Sequence, residues 1–295
     1  MAQKERTLNF PNNRSVGKLY DFGDISPRSL EQGARVLDAR GAIVLNQANL
    51  LELEISKEAS RDLSFLKNLG EEDLTFIELS DTLVTDTQLD HLRSLKRLSS
   101  LRLNRTKVTD RGLDHLSGLV NLHHLELRET LITDAGASQL SSFASLCSLD
   151  LSHTSVTNAT LISLRQLKGL DTLYLNYTGV TDEGVQYICD LGSLVTLGLD
   201  GINIVGTGVE ALSCLRDLRT LSLGHSALLD AHLKFLKYLT NLNELNLEYT
   251  RISSSALSQL RQCRSLRNLH VEGCQVDRVI WEQLTSEMKE LIVHF

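Results

Sequence analysis

The stretch LHHLELRETLITDAG, residues 122–136, decides the fold. Leu122, Leu125 and Leu127 alternate as a short strand requires, with Leu125 and Leu127 on one face and His124, Glu126 and Arg128 on the other. Ile132 then turns inward. Thr133-Asp134 offers a helix cap, because either side chain can accept from the orphan amides of a first turn, and an acid there suits the helix dipole. Leu116, Leu119, Leu140 and Phe143 recur at helical spacing. One coil is therefore a strand, a turn, a short helix and a return.

The same block starts again at Leu74, Leu98, Leu146, Leu170, Leu194, Leu218, Leu242 and Leu266, a period of 24 residues. A fixed period in this range marks a solenoid, since one coil cannot bury its apolar face and gains stability only from stacked neighbours. Stacked strands sit about 4.8 Å apart while helices need about 8–10 Å, so the stack is expected to bend into a horseshoe with its parallel sheet on the concave side. Thr82, Thr106, Thr130, Thr154, Thr178 and Thr250 share one column after the strand. Their hydroxyls are expected to satisfy backbone groups at the turn.

The consensus L-x-x-L-x-L-x-x-T-x-V-T-D-x-G-L-x-x-L resembles leucine-rich repeats, and within them the short-helix type of bacterial proteins and of the repeat region of F-box adaptors. The resemblance covers roughly residues 50–275. It implies an α/β leucine-rich-repeat solenoid, with short helices on the convex side, that serves as a protein-interaction scaffold; it names no partner, because the motif residues are the structural ones.

Composition narrows the reading. Leucine supplies about one residue in five of 295, aromatic residues are scarce, and the two prolines are Pro11 and Pro27. A formal net charge of −7 argues against nucleic acid as a partner. No run of 18 apolar residues exists to span a membrane. The five cysteines, Cys147, Cys189, Cys214, Cys263 and Cys274, include no CxxC pair, and the first residues lack the apolar core of a signal peptide. All five thiols are expected to be free in a cytoplasmic protein. Without a secretion signal the N-x-S/T matches at Asn13, Asn104, Asn158 and Asn176 are read as chance products of a Thr-rich repeat.

One continuous domain is expected, with a cap over residues 1–49, repeats over 50–275 and a closing coil over 276–295. In the first segment, Ser26-Pro27 followed by Leu30, Ala34 and Leu37 predicts a helix stopped by Gly41. Ala42–Leu45 is expected to start the sheet, and the first dozen residues to be loose. At the other end the period is expected to slip to about 22, with Met288, Leu291 and Val293 at strand positions and Trp281 and Phe295 closing the stack.

No nucleophile–base motif, P-loop, G-x-S-x-G or H-E-x-x-H pattern occurs, so neither a catalytic residue nor a cofactor is expected. His123, His124, Asp150 and His153 lack a specified ligand spacing, and no metal is expected. Chemistry concentrates instead at the third, fifth, seventh and eighth positions of each block. Counted from a first coil with the same spacing at Leu50, Leu53 and Ile55 to the Leu266 coil, eleven acids and four bases stand there, a difference of −7 that equals the whole formal charge; the other 26 acids and 26 bases balance. Candidate partner-binding residues are Glu54, Glu78, Arg102, Arg105, Glu126, Arg128, Asp150, Tyr174, Tyr177, Asp200, His225 and Tyr249. Gly198, Gly201, Ser222 and Gly224 predict a shallow valley, flanked by Tyr174 and Tyr177 on one side and Tyr249 on the other. The reading is a monomeric, non-enzymatic scaffold whose acidic concave face binds a basic or mixed-charge protein. The alternatives are a substrate-receptor adaptor of a ubiquitin-ligase or signalling type, and a repeat-bearing effector that regulates an enzyme.

Overall fold

A computed structural model describes residues 5–23, 34–46, 49–204 and 207–295. The chain divides into two compact units, Met1–Leu146 and Cys147–Phe295.

In the first unit, β1 (Glu5–Asn9), β2 (Gly17–Asp21), β3 (Arg35–Asp38) and β4 (Ala42–Asn46) precede the repeats. The repeat strands follow as β5 (Leu51–Ile55), β6 (Phe76–Glu78), β7 (Ser100–Arg102) and β8 (His124–Glu126). They pair in parallel with Leu53, Ile77, Leu101 and Leu125 in one row, so the 24-residue period is the sheet register. Each residue of that row is buried, because the strand face toward the helices has no other surface to meet.

The N-terminal segment departs from the sequence reading. Residues 35–38 are a strand rather than the end of a helix, while residues 24–33 of the expected helix lie outside the described residues. β2 runs antiparallel to β5 with Leu19 opposite Leu53, and β3 pairs with β2. These strands occupy the edge that β5 would otherwise leave unpaired. β4 does not start this sheet; it pairs antiparallel with β1 as a separate ribbon. Nor are the first dozen residues loose from Glu5 onward. Leu8 and Phe10 are buried, with the Phe10 ring 6.4 Å from that of Phe65, and apolar burial fixes the strand.

The second unit holds seven parallel strands: β9 (Ser148–Asp150), β10 (Thr172–Tyr174), β11 (Thr196–Gly198), β12 (Thr220–Ser222), β13 (Glu244–Asn246), β14 (Asn268–His270) and β15 (Ile292–His294). Leu149, Leu173, Leu197, Leu221, Leu245, Leu269 and Val293 form its buried or central row. Val293 stands opposite Leu269, so the last coil keeps the 24-residue register and does not slip to 22. Its helix, Arg278–Glu287, is longer than those before it and takes up the residues that seemed to shift the phase. The Trp281 side chain lies outside the described residues, and Phe295 is exposed.

Two side-chain columns tie coil to coil. Thr109, Thr133 and Thr157 cap their helices, accepting from the amides of Arg111, Ala135 and Ala159. Each helix's first acid then reaches to the next coil. Asp86 accepts from the Thr109 amide and hydroxyl at 2.8 and 2.6 Å, and Asp110 does the same to Thr133 at 2.8 and 2.7 Å. In the second unit Asn158 grips Thr181, and Asp230 grips Ser253. The glycine two residues after the acid makes room for this reach: a Cβ on Gly136 would stand 2.3 Å from Asp110 Oδ1. T-D-x-G is thus one interlock spread over two coils. The threonine column behaves as expected, with Thr82, Thr106, Thr130 and Thr154 donating to the carbonyl three residues back at 2.6 Å.

The thiols correct the sequence reading. Cys189 and Cys214 form a disulfide, and Cys147, Cys263 and Cys274 take no part in it. Their separation of 25 residues places both cysteines on the helical side of adjacent coils. CxxC spacing, the pattern sought in the sequence, describes neighbours along a chain and misses neighbours across a repeat. The bonded pair removes the cysteine argument for a reducing compartment.

Candidate functional site

Position eight of each block has one backbone conformation. Asp81, Arg105 and Glu129 in the first unit have φ of 60°, 54° and 55°. In the second unit His153, Tyr177, His225 and Tyr249 lie between 53° and 55°, and Gly201 and Gly273 at 66° and 71°. The left-handed turn lets the amide of position eight donate to the next coil's position-seven carbonyl, as from Asp81 to Asn104 and from Tyr177 to Asp200. The backbone demands this shape of every coil and leaves the side chain to vary.

In the first unit that freedom carries charge. Arg105 lies bidentate on Asp81, and Arg128 reaches Glu129 at 3.1 Å. At position five, Arg102 sits among Glu126 at 3.2 Å and Glu78 at 3.4 Å of its own column, with Glu52 of the position-three column at 3.5 Å. Burial alone would pull the Arg102 guanidinium down, and the three carboxylates together hold it above its ordinary value. Burial raises the Glu52 carboxyl, against the lowering effect of Arg102. Glu54 accepts from the Tyr20 hydroxyl at 2.5 Å, which pushes that phenol up. Acids of the first coils thus pair with arginines of the coils that follow, Glu52 and Glu78 with Arg102 and Asp81 with Arg105. Surface pairs of this kind each contribute little to stability, but together they fix the charge pattern.

In the second unit the same positions carry rings. His153 stacks on Tyr177 with centroids 4.6 Å apart, and His225 on Tyr249 at the same distance. Between the two pairs, Tyr177 and His225 are 5.8 Å apart although Gly201 intervenes in sequence. The tyrosine leans over that glycine, whose Cβ would stand 2.3 Å from the ring. Tyr249 likewise leans over Gly273, and its hydroxyl donates to Glu272 at 2.8 Å. That bond and the adjoining carboxylate raise the Tyr249 phenol. The expected valley is therefore different in form. Tyr174 and Tyr177 do not flank Gly198 and Gly201; their rings occupy the space above them. Tyr177 remains 42% exposed and Tyr249 49%, so the ladder has an open side.

Some candidates have a structural duty. The amide of position seven needs a side-chain partner. Glu78, Asp150 and Asn246 accept from it within their own coils, at Ser80, Ser152 and Glu248. Asn104, Asn176 and Asp200 accept from the next coil instead, at Arg128, Asp200 and Gly224. Glu78, Asp150 and Asp200, expected as partner-binding residues, thus also satisfy backbone amides of the coil. Sequence reasoning left His153 out of the candidate set, although the column of position eight contained the signal: a ring in each of four coils and glycine in the coils over which tyrosines lean.

The leucine-rich-repeat family model matches residues 170–189, the coil that carries Tyr174 and Tyr177. Among solved structures, an internalin of Listeria monocytogenes is similar over 85% of this chain and 89% of its own, at 16% identity and a TM-score of 0.57. A leucine-rich-repeat protein of Leptospira interrogans aligns with 82% of this chain and 57% of its own, at 20% identity and a TM-score of 0.59. A TDR receptor aligns with 82% of this chain and 40% of its own, at 15% identity and a TM-score of 0.56. No curated protein sequence matches. At such identities the likeness establishes the fold.

Proposed function

Because the chain folds as a leucine-rich-repeat solenoid, we propose that it is a non-enzymatic scaffold that docks a partner protein on its open sheet faces. The observation that carries this reading is the split between fixed and free columns. Leucines, threonines and the T-D-x-G interlock build the coil, and the outward positions hold ion-paired side chains in one unit and exposed rings in the other. Exposed tyrosines among polar groups are what interface anchors are made of. A repeated surface of this type suits protein recognition, and the partner we favour is basic or mixed in charge.

The test is capture of partners by the full chain, with variants on each side. Tyr249→Ala with Glu244→Lys should weaken capture, and Arg128→Glu should do so if the first unit takes part. Exposed helical-side changes such as Arg111→Glu should not. Loss of capture through helical-side substitutions alone would sink the reading.

A further inference from the structure

We propose that the ladder His153–Tyr177–His225–Tyr249 anchors an extended segment of a partner protein bearing two arginines or lysines four residues apart. This rests on the protein-binding reading and deepens it by naming the partner's chemistry.

The ladder is not required by the coil. Gly201 and Gly273 occupy the same column in the same conformation, so a coil closes without any side chain there. A left-handed φ is unfavourable for bulky residues and free for glycine. Two tyrosines nonetheless stand there, stacked on histidines and half open to solvent.

Charge selects the occupant. At positions three, five, seven and eight of the coils from Cys147 to Gly273 there are five carboxylates, Asp150, Asp200, Glu244, Glu248 and Glu272, and no lysine or arginine. Aromatic π density beside carboxylates with no lysine or arginine at the outward positions is the environment that holds a guanidinium or ammonium group, and His270, 3.6 Å from Glu244 and Glu248, is a weaker and only partly charged partner that such a cation would outcompete. In the first unit arginines of the chain itself take that role, since Arg105 lies on Asp81 and Arg102 among three glutamates.

Geometry selects the spacing. Tyr177 and Tyr249 are three coils apart, or about 14 Å at the strand separation of a sheet. Residues four apart in an extended chain are about 13 Å apart and point to the same side. A segment running along the rim would therefore set one cation against each stacked pair.

The test uses the full chain and fluorescent ten-residue serine-rich peptides, read by anisotropy. One peptide carries arginine at positions 3 and 7, a second glutamine there, and a third glutamate. The arginine peptide should bind at least about tenfold tighter than either other. Tyr177→Gly and Tyr249→Gly should each weaken it about fivefold, the size of a partly desolvated cation–π contact. Their melting temperatures should stay near that of the parent, which separates a lost contact from a lost fold. Equal affinity for the three peptides overturns the proposal, and so does arginine-peptide binding that ignores both tyrosine changes. If the peptides fail while open-face substitutions still abolish partner capture, the basic-segment assignment falls and the scaffold reading stands.

Discussion

Position eight of the repeat reads Asp81, Arg105, Glu129 in the first unit and His153, Tyr177, Gly201, His225, Tyr249, Gly273 in the second. The backbone is the same left-handed turn in both. In the first unit the side chains neutralise one another through ion pairs; in the second they stack, and the outward positions around them hold carboxylates with no lysine or arginine, His270 standing 3.6 Å from both Glu244 and Glu248. A conformation imposed by the repeat thus supports two surfaces of opposite character. The two surfaces differ because the coil constrains φ and ψ there, not the side chain.

The largest test of that division lies in the columns meant to be indifferent to it. Leu125→Ala in the first unit and Leu173→Ala or Leu221→Ala in the second should each lose roughly 2–5 kcal/mol in chemical denaturation, because all three are fully buried. A variant that unfolds like the parent would show that the strand register of its unit is misassigned.

Next comes a feature confined to the second unit. Replacing Cys189 and Cys214 together by Ala should lower stability by about 3.5 kcal/mol, the loop-closure value for a cross-link of this span. Mass analysis of the parent should find this pair bonded and the other three thiols free. Five free thiols would erase that asymmetry.

The interlock should again treat the units alike. Asp110→Ala removes both acceptors of Thr133, and Asn158→Ala the partner of Thr181. Each should lose about 1–2 kcal/mol, with the charged pair at the upper end. A loss in one unit only would mean that T-D-x-G is a local cap rather than a link between coils.

The smallest effect is a titration order within the first unit. Glu52, raised by burial, should take up its proton at higher pH than Asp81, which its hydrogen bonds from Arg105 hold down. The signs differ. The ionised form of Glu52 opposes folding, and that opposition fades as pH falls through its raised value. The contribution of Asp81 is present above the ordinary carboxylate value and is lost as pH falls through its lowered one. Carbon-detected NMR should find Glu52 above the ordinary glutamate value and Asp81 below the ordinary aspartate value; two carboxyls at their ordinary values would mean that neither burial nor the Arg105 pair acts as described.

The repeat, the strand register, the buried leucines and the threonine column were legible because each depends on residues at fixed offsets. Leu125, Leu127 and Thr130 show this within one coil. What was hidden depends on neighbours 24 or 25 residues away. The Cys189–Cys214 bond, the Arg102 network and the lean of Tyr177 over Gly201 are contacts down a column, invisible to a reading along the chain. The N-terminal strands escaped for a different reason: Arg35–Asp38 pairs with Gly17–Asp21, a partner that no periodicity announces.

The position-seven amides have a consequence for how such a protein can be recombined. Where Gly198 offers no acceptor, Asn176 of the preceding coil supplies one to Asp200; where Ser222 follows, Asp200 supplies it to Gly224. A coil transplanted as a bare block of 24 residues would leave its donor's acceptor behind. The cassette that can be shuffled without orphaning an amide is a frame that begins at position seven of one coil and ends at position seven of the next. Libraries cut at that seam should keep folding, while those cut at the leucine that opens each block should carry one broken hydrogen bond wherever the two acceptor schemes meet.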